Sequence, residues 1–229
     1  TFTPIDLPDV ERTIPGWLRD APRDTSANDQ VAQGAVLVIL MDDIALRAMP
    51  SRVHDCARQV VESMGPHDVA AVVYLAGKYL GQGFTSDRSR LLAAVERYMG
   101  SGGSALSALA PRMLADTIDD LADGLAALPS RRKAIIYVSS GLYFDFAGGM
   151  PGSTSWQDIN AAHDTGSAAY RFLRVFDRAR RANVSVYCVD PMGLTHSAET
   201  VTRDFLRTLS QNTGGFTVMD TNDTRTGVV

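Results

Sequence analysis

The chain has 229 residues, of which 45% are hydrophobic and 21% charged, and its net charge is −4 at pH 7. This length suits one large domain, or one domain with an arm, and allows a substantial core. The mildly negative charge argues against a nucleic-acid or anionic-membrane binder, which normally carries a basic stripe. No apolar run approaches the roughly 20 residues that a membrane span needs.

The first 33 residues lack hydrophobic periodicity and contain Pro4, Pro8, Pro15 and Pro22. They predict an extended arm or linker, residues 1–33, ahead of a folded domain, residues 34–229. The chain begins at Thr1 and shows no signal peptide, so we expect a processed or truncated piece.

An apolar run from Ala35 to Met41 ends abruptly in two carboxylates, Asp42 and Asp43. A continuous apolar run is typical of a parallel strand covered on both faces by helices. The aspartates would then lie at the C-terminal end of this strand, where open α/β sheets bind ligands. Alternatively, they only end the strand and cap the following turn.

The rest of the chain alternates helical and strand patterns. The predicted helices begin near Pro50, Asp87, the region before Leu114, Ala168 and Thr202, and the predicted strands cover 69–75, a segment ending at Phe84, 133–138, 184–189 and 216–219. The third strand is predicted to pair with the second through a tight hairpin. This alternation predicts an α/β fold, a doubly wound, mostly parallel six-stranded sheet flanked by helices.

Two helices carry more specific predictions. In the helix after Asp87, the buried stripe is predicted to be Leu91, Leu92, Val95 and Met99. In the helix around Leu114, four aspartates (Asp116, Asp119, Asp120 and Asp123) are spaced as a solvated face.

A long segment with little periodicity, residues 143–166, is predicted to be a loop at the same sheet edge as Asp42 and Asp43. Loops of this length in compact domains tend to be functional or disordered. The two cysteines, Cys56 in a predicted helix and Cys188 in a predicted strand, are expected to be buried free thiols. The alternative is a single disulfide between Cys56 and Cys188, if the helix packs on that strand.

Familiar catalytic motifs are absent from the sequence. The first strand is not followed by Gly-x-Gly-x-x-Gly, and neither a P-loop nor a Gly-x-Ser-x-Gly elbow occurs. Ser140 follows a strand, as a nucleophile would, but lacks the flanking glycines. The four histidines show no metal-ligand spacing.

Oxygen-bearing side chains instead gather at predicted strand ends. They are Asp42, Asp43, Ser104, Ser139, Ser140 and Asp190. Such a set suits a hard cation, Mg²⁺ or Ca²⁺, or else satisfies backbone groups in turns.

The order of these elements resembles a von Willebrand factor A (vWA) domain, specifically the bacterial VWFA-related branch, over about Gly34 to Asp223. The segments that carry the resemblance are 36–43, 66–73, 84–95, 131–141, 182–191 and 206–216. The resemblance implies a Rossmann-like vWA fold and a metal-ion-dependent adhesion site (MIDAS), in which Asp-x-Ser-x-Ser ends the first strand.

The adhesion-site motif is degenerate here. Counted from Asp42, the two serine positions are Ile44 and Leu46; counted from Asp43, they are Ala45 and Arg47. Ser104 stands where the family has a loop threonine, and Ser139-Ser140 where it has a late aspartate. A cation held by Asp42, Asp43 and Ser104 would be bound weakly, because fewer anionic ligands lower the affinity.

Three functions follow as hypotheses. The first is a non-enzymatic protein-interaction domain that binds an unidentified partner through the sheet edge and the 143–166 loop, with Asp42, Asp43, Ser140, Tyr143 and Asp145 as candidate contacts. The second is a divalent-cation-dependent version of the same domain, and the third an unrecognised α/β hydrolase. Relatives in this branch are often exported, so a periplasmic or extracellular location is expected.

Overall fold

The computed structural model describes residues 34–44, 50–100, 106–128, 132–144, 146, 156–193 and 200–219, with only the backbone for 156–167. The predicted arm, residues 1–33, lies outside this part of the chain. The strands are β1 (Val36–Met41), β2 (Val69–Tyr74), β3 (Gln82–Thr85), β4 (Lys133–Val138), β5 (Val184–Val189) and β6 (Thr217–Val218). The helices are α1 (Pro50–Ser63), α2 (Arg88–Val95), α3 (Ala110–Ala126), α4 (Trp156–Arg181) and α5 (Thr200–Asn212).

The six strands form one sheet in the order β3-β2-β1-β4-β5-β6. All neighbouring pairs are parallel except β2 and β3, which are antiparallel. The predicted α/β class and mostly parallel sheet are therefore confirmed. From β1 the chain adds strands toward one edge of the sheet, and from β4 it adds them toward the other edge. The C-terminal ends of β1 and β4 therefore form the switch point at which open α/β sheets bind ligands.

Each face of the sheet carries its own apolar cluster. On one face, β1 contributes Ile39 and Met41, which pack with buried residues of α1 and α2. On the other face, Val38 and Leu40 pack with residues of α3, α4 and α5. Successive strand side chains point to opposite faces, so a strand buried on both faces must be apolar at every position, as β1 is.

Two predictions are wrong in detail, namely the tight hairpin between β2 and β3 and the buried stripe of α2. Residues 75–81 separate β2 from β3 and contain a 3₁₀ turn, Lys78–Leu80, so the connection is not a tight hairpin. Asp87 does cap α2, accepting from Ser89 N and Arg90 N. The helix ends at Val95, however, which leaves Met99 83% exposed and buries Tyr98 instead.

The predicted loop from Tyr143 to Gly166 is wrong for residues 156–166, which belong to the first turns of α4. The aspartates predicted to form a solvated face on α3 are also partly engaged. Asp116 pairs with Arg171 of α4, and both Asp119 and Asp123 pair with Arg178. These partly exposed pairs align α3 with α4 and contribute little individual stability.

Both cysteines are free and buried, as expected. Cys56 belongs to the cluster under α1, and Cys188 to the cluster on the opposite face of the sheet, so the sheet separates the two sulfur atoms. No helix among the described residues is long and apolar enough to cross a membrane.

The native thiols are expected to resist alkylation. Burial, with Asp190 and Asp55 nearby, raises the pKa of Cys56 to about 12, and burial raises the pKa of Cys188 above its ordinary value. Because only the thiolate reacts, iodoacetamide at pH 8 should modify neither thiol in the native protein and both in guanidinium chloride, as counted by intact mass. Rapid labelling of the native protein would contradict this arrangement.

Candidate functional site

Asp42 lies where β1 ends and is fully buried. Its Oδ2 atom accepts hydrogen bonds from the Tyr137 hydroxyl at 2.8 Å and from the Ser139 hydroxyl at 2.6 Å. Its Oδ1 atom accepts from the backbone N–H of Ile44 at 3.0 Å. The carboxyl group thus caps its own turn and ties β1 to the end of β4.

Asp43 forms the corresponding connection on the other side of β1. Its two carboxyl oxygens accept from the backbone N–H groups of Ala76 and Gly77, each at 2.8 Å, just beyond the end of β2. Asp42 and Asp43 therefore join β1 to its two neighbouring strands, β4 and β2. A cap of this kind was the alternative that the sequence left open for the two aspartates.

Tyrosine hydroxyls surround Asp42 from both faces of the sheet. Tyr137 lies on the face of α3 to α5, while Tyr98, from the opposite face, donates to the backbone carbonyl of Asp42 at 3.2 Å. Burial, reinforced by Asp42, raises the pKa of Tyr137 well above its ordinary value. Burial, with Asp42 and Asp43 nearby, also raises the pKa of Tyr98. Both hydroxyls therefore keep their protons at neutral pH.

The end of β4 passes from the buried Ser139 to the half-buried Ser140. The Ser139 hydroxyl oxygen accepts from Gly141 N at 3.0 Å while it donates to Asp42. Gly141 has a φ of +91°, and a Cβ there would lie 2.2 Å from the backbone oxygen of Thr202 in α5. Glycine is needed both for this backbone conformation and for the close approach of α5.

Tyr143 projects from the same edge with 47% of its surface exposed, between Leu142 and Phe144, which are 3% and 2% exposed. Phe144 is part of an aromatic cluster, with ring centres 5.0 Å from Phe146 and 5.5 Å from Phe172. The buried neighbours fix the backbone on both sides of Tyr143 and present its ring to solvent.

Asp190, at the end of β5, is buried and accepts from Met192 N at 2.9 Å. The Met192 carbonyl in turn accepts from Arg52 of α1 at 2.8 Å. Asp190 thus shapes the turn after β5. Ser104 and Asp145, the remaining candidate residues, lie outside the described residues.

The groups around Asp42 do not fit a divalent cation. Mg²⁺ and Ca²⁺ need oxygen lone pairs directed at the ion, but Asp42 Oδ2 accepts from the Tyr137 and Ser139 hydroxyls, and Oδ1 accepts from the N–H of Ile44. Ile44, the first serine position of the adhesion-site motif counted from Asp42, is 1% exposed and packs in the apolar core. Among the described residues, no group of three or more His, Cys, Asp or Glu side chains could hold a metal.

Tyr137 and Tyr98 are site residues that the sequence patterns did not single out. Tyr137 reaches Asp42 because the parallel register places it beside Leu40, two residues before Asp42. Its only sequence signal is a hydroxyl-bearing side chain next to the apolar residues Ile135, Ile136 and Val138 of the same strand.

No protein-family model matches the chain, and no curated protein matches it. Among solved structures, the chain is similar to the PilB minor pilin from Streptococcus sanguinis, with 11% identity, a TM-score of 0.46, and coverage of 82% of this chain and 57% of the pilin. It is also similar to proximal thread matrix protein 1 from the mussel byssus, described with a zinc-occupied MIDAS motif, with 12% identity, a TM-score of 0.47 and coverage of 86% and 46%.

The human COPII-coat protein Sec24c is a third similar structure, with 9% identity, a TM-score of 0.40 and coverage of 81% of this chain and 29% of that chain. The chain thus spans between 29% and 57% of these proteins. Independently of these likenesses, the six-stranded, mostly parallel sheet with one antiparallel pair is consistent with a Rossmann-like vWA fold.

Proposed function

We propose that this chain is a non-enzymatic protein-interaction domain of the vWA type that binds its partner through the C-terminal edge of the sheet. The observation that carries the proposal is Tyr143, an exposed aromatic residue held between two buried neighbours beside the switch point. Tyrosine is enriched in protein interfaces, and aromatic anchors supply much of their binding energy.

Within this proposal, Asp42 and Asp43 hold the binding surface in place and do not contact the partner themselves. Asp42 is fully buried and Asp43 is 9% exposed, so a partner would meet Ser140 and Tyr143 rather than the carboxyl groups. The two aspartates hold the ends of β4 and β2 in place, and the strand ends in turn position the exposed residues.

Two side chains, Ser139 and His54, are not arranged for hydrolysis, which supports a binding role. The Ser139 hydroxyl is fully buried and hydrogen-bonded to Asp42, so a substrate cannot reach it. His54 has Nε2 3.1 Å from the Tyr98 carbonyl oxygen and Nδ1 3.4 Å from the Glu96 carboxylate. Both of its nitrogens are thus occupied, and His54 is not positioned as a general base.

Site-specific photo-crosslinking tests this proposal. A benzophenone amino acid at position 143 is expected to crosslink a discrete partner in extracts of the source cells. The same amino acid at Phe216 is the matched control, because Phe216 is an aromatic residue of similar exposure, 45%, that packs against Tyr187. Unlabelled wild-type protein should suppress the crosslink at 143, and unlabelled Tyr143→Ala protein should suppress it at least tenfold less well.

Equal crosslinking from the two positions would contradict the proposal, as would equal competition by wild-type and Tyr143→Ala proteins. A Ser140→Ala competitor tests the adjoining position. Its effect is expected to be smaller, since a hydrogen bond of one partly exposed hydroxyl contributes only about 0.5–1.5 kcal/mol.

A further inference from the structure

The hydrogen atoms around Asp42 occupy directions from which a cation would have to approach. The hydroxyls of Tyr137 and Ser139 both donate to Oδ2, and the N–H of Ile44 donates to Oδ1. A divalent cation binds carboxyl oxygens at about 2.0–2.6 Å. At Oδ2 it would therefore have to displace two hydroxyl groups that are completely buried.

The Ser139 hydroxyl has hydrogen-bond partners on two sides. The backbone N–H of Gly141 points at Ser139 Oγ, 3.0 Å away, and takes one of the lone pairs of this oxygen. The hydroxyl donates its proton to Asp42 Oδ2, 2.6 Å away. This proton therefore occupies a lone pair of the carboxyl oxygen that a cation would need.

The fixed tertiary structure also limits any rearrangement. Tyr137 sits on β4 in register with Leu40 of β1, and both residues are 0% exposed. Tyr98 holds the Asp42 carbonyl from the opposite face. Turning the Asp42 carboxyl toward a cation would leave the Tyr137 hydroxyl buried without this acceptor, which is unfavourable.

We infer that the hydroxyl groups of Tyr137 and Ser139 take the place of a divalent cation at Asp42, so that this sheet edge is organised without metal. Tyr137 and Ser139 are positioning residues, which act by holding the Asp42 carboxyl group. The inference concerns cation binding alone, and it stands or falls separately from the proposed partner binding.

Thermal unfolding with Mn²⁺, Mg²⁺ or Ca²⁺ at millimolar concentration, compared with EDTA, tests the inference on the full chain. The wild-type midpoint is expected to change by less than about 1 °C, because a ligand raises the midpoint only by binding the folded state. A rise that Asp42→Asn abolishes would overturn the inference. A rise of equal size in Asp42→Asn would place the cation elsewhere and support it.

A variant that gains cation binding provides a second test, because a purely structural role of Tyr137 and Ser139 would not predict that gain. Tyr137→Phe combined with Ser139→Ala removes both hydroxyls from Oδ2 and leaves a buried carboxyl group without these donors, a state that a cation relieves. Mn²⁺ is expected to raise the midpoint of this double variant by several degrees, and adding Asp42→Asn should abolish the rise. A folded double variant that shows no response to Mn²⁺ would overturn the role given to the hydroxyls.

Discussion

Replacing Asp42 by alanine is expected to lower the free energy of unfolding by about 3–5 kcal/mol, because it removes the acceptor for three buried donors. The hydroxyls of Tyr137 and Ser139 and the N–H of Ile44 would each lose a partner at 2.6–3.0 Å. Equilibrium urea denaturation, followed by tryptophan fluorescence or circular dichroism, measures the change.

A matched control for this variant is Asp204→Ala. Asp204 is an exposed aspartate on α5 whose ion pair with Arg207 spans three residues of the same helix. Its loss should change the stability by no more than about 0.5 kcal/mol. If the two alanine variants were equally stable, the Asp42 carboxyl group would not be the structural centre described above.

Phe144→Ala is expected to cost about 3–5 kcal/mol, as is typical for deletion of a fully buried phenylalanine. Phe144 is 2% exposed and contacts an aromatic cluster drawn from three parts of the chain, with Phe146, Phe172 of α4 and Phe205 of α5 within 6.1 Å between ring centres. The same denaturation experiment measures the loss.

The adjacent variant Tyr143→Ala separates stability from binding. Because Tyr143 is 47% exposed, its truncation should cost about 1 kcal/mol or less, while it should weaken crosslinking competition as proposed. A Tyr143→Ala protein as unstable as Phe144→Ala would mean that the ring is part of the core and is not a displayed contact residue.

The sequence predicts the sheet well because most of its central strands are apolar runs in the sequence. Val36–Met41 and Val184–Val189, for example, are nearly continuous apolar segments, and such segments need a cover on both faces. The position of Asp42 and Asp43 at the C-terminal edge follows from the same pattern. The sequence does not indicate the first turns of α4, because residues 156–166 lack a clear stripe of large apolar side chains and contain Gly166.

The hydrogen bonds of the site are harder to predict from the sequence, since they depend on strand register. The bond between Tyr137 and Asp42 joins residues 95 positions apart, and it exists because β1 and β4 pair with Leu40 beside Tyr137. No local pattern encodes that alignment. Similarly, the burial of Tyr98 in place of Met99 depends on where α2 ends and how the following turn packs.

Anomalous diffraction from crystals of the full chain soaked in millimolar Mn²⁺ tests most directly whether Asp42 is held by protein donors alone. The expected map shows no anomalous peak at Asp42, with Tyr137 Oη and Ser139 Oγ still within hydrogen-bond distance of Oδ2. A peak about 2.0–2.6 Å from an Asp42 carboxyl oxygen, with the two hydroxyls turned away, would contradict the account.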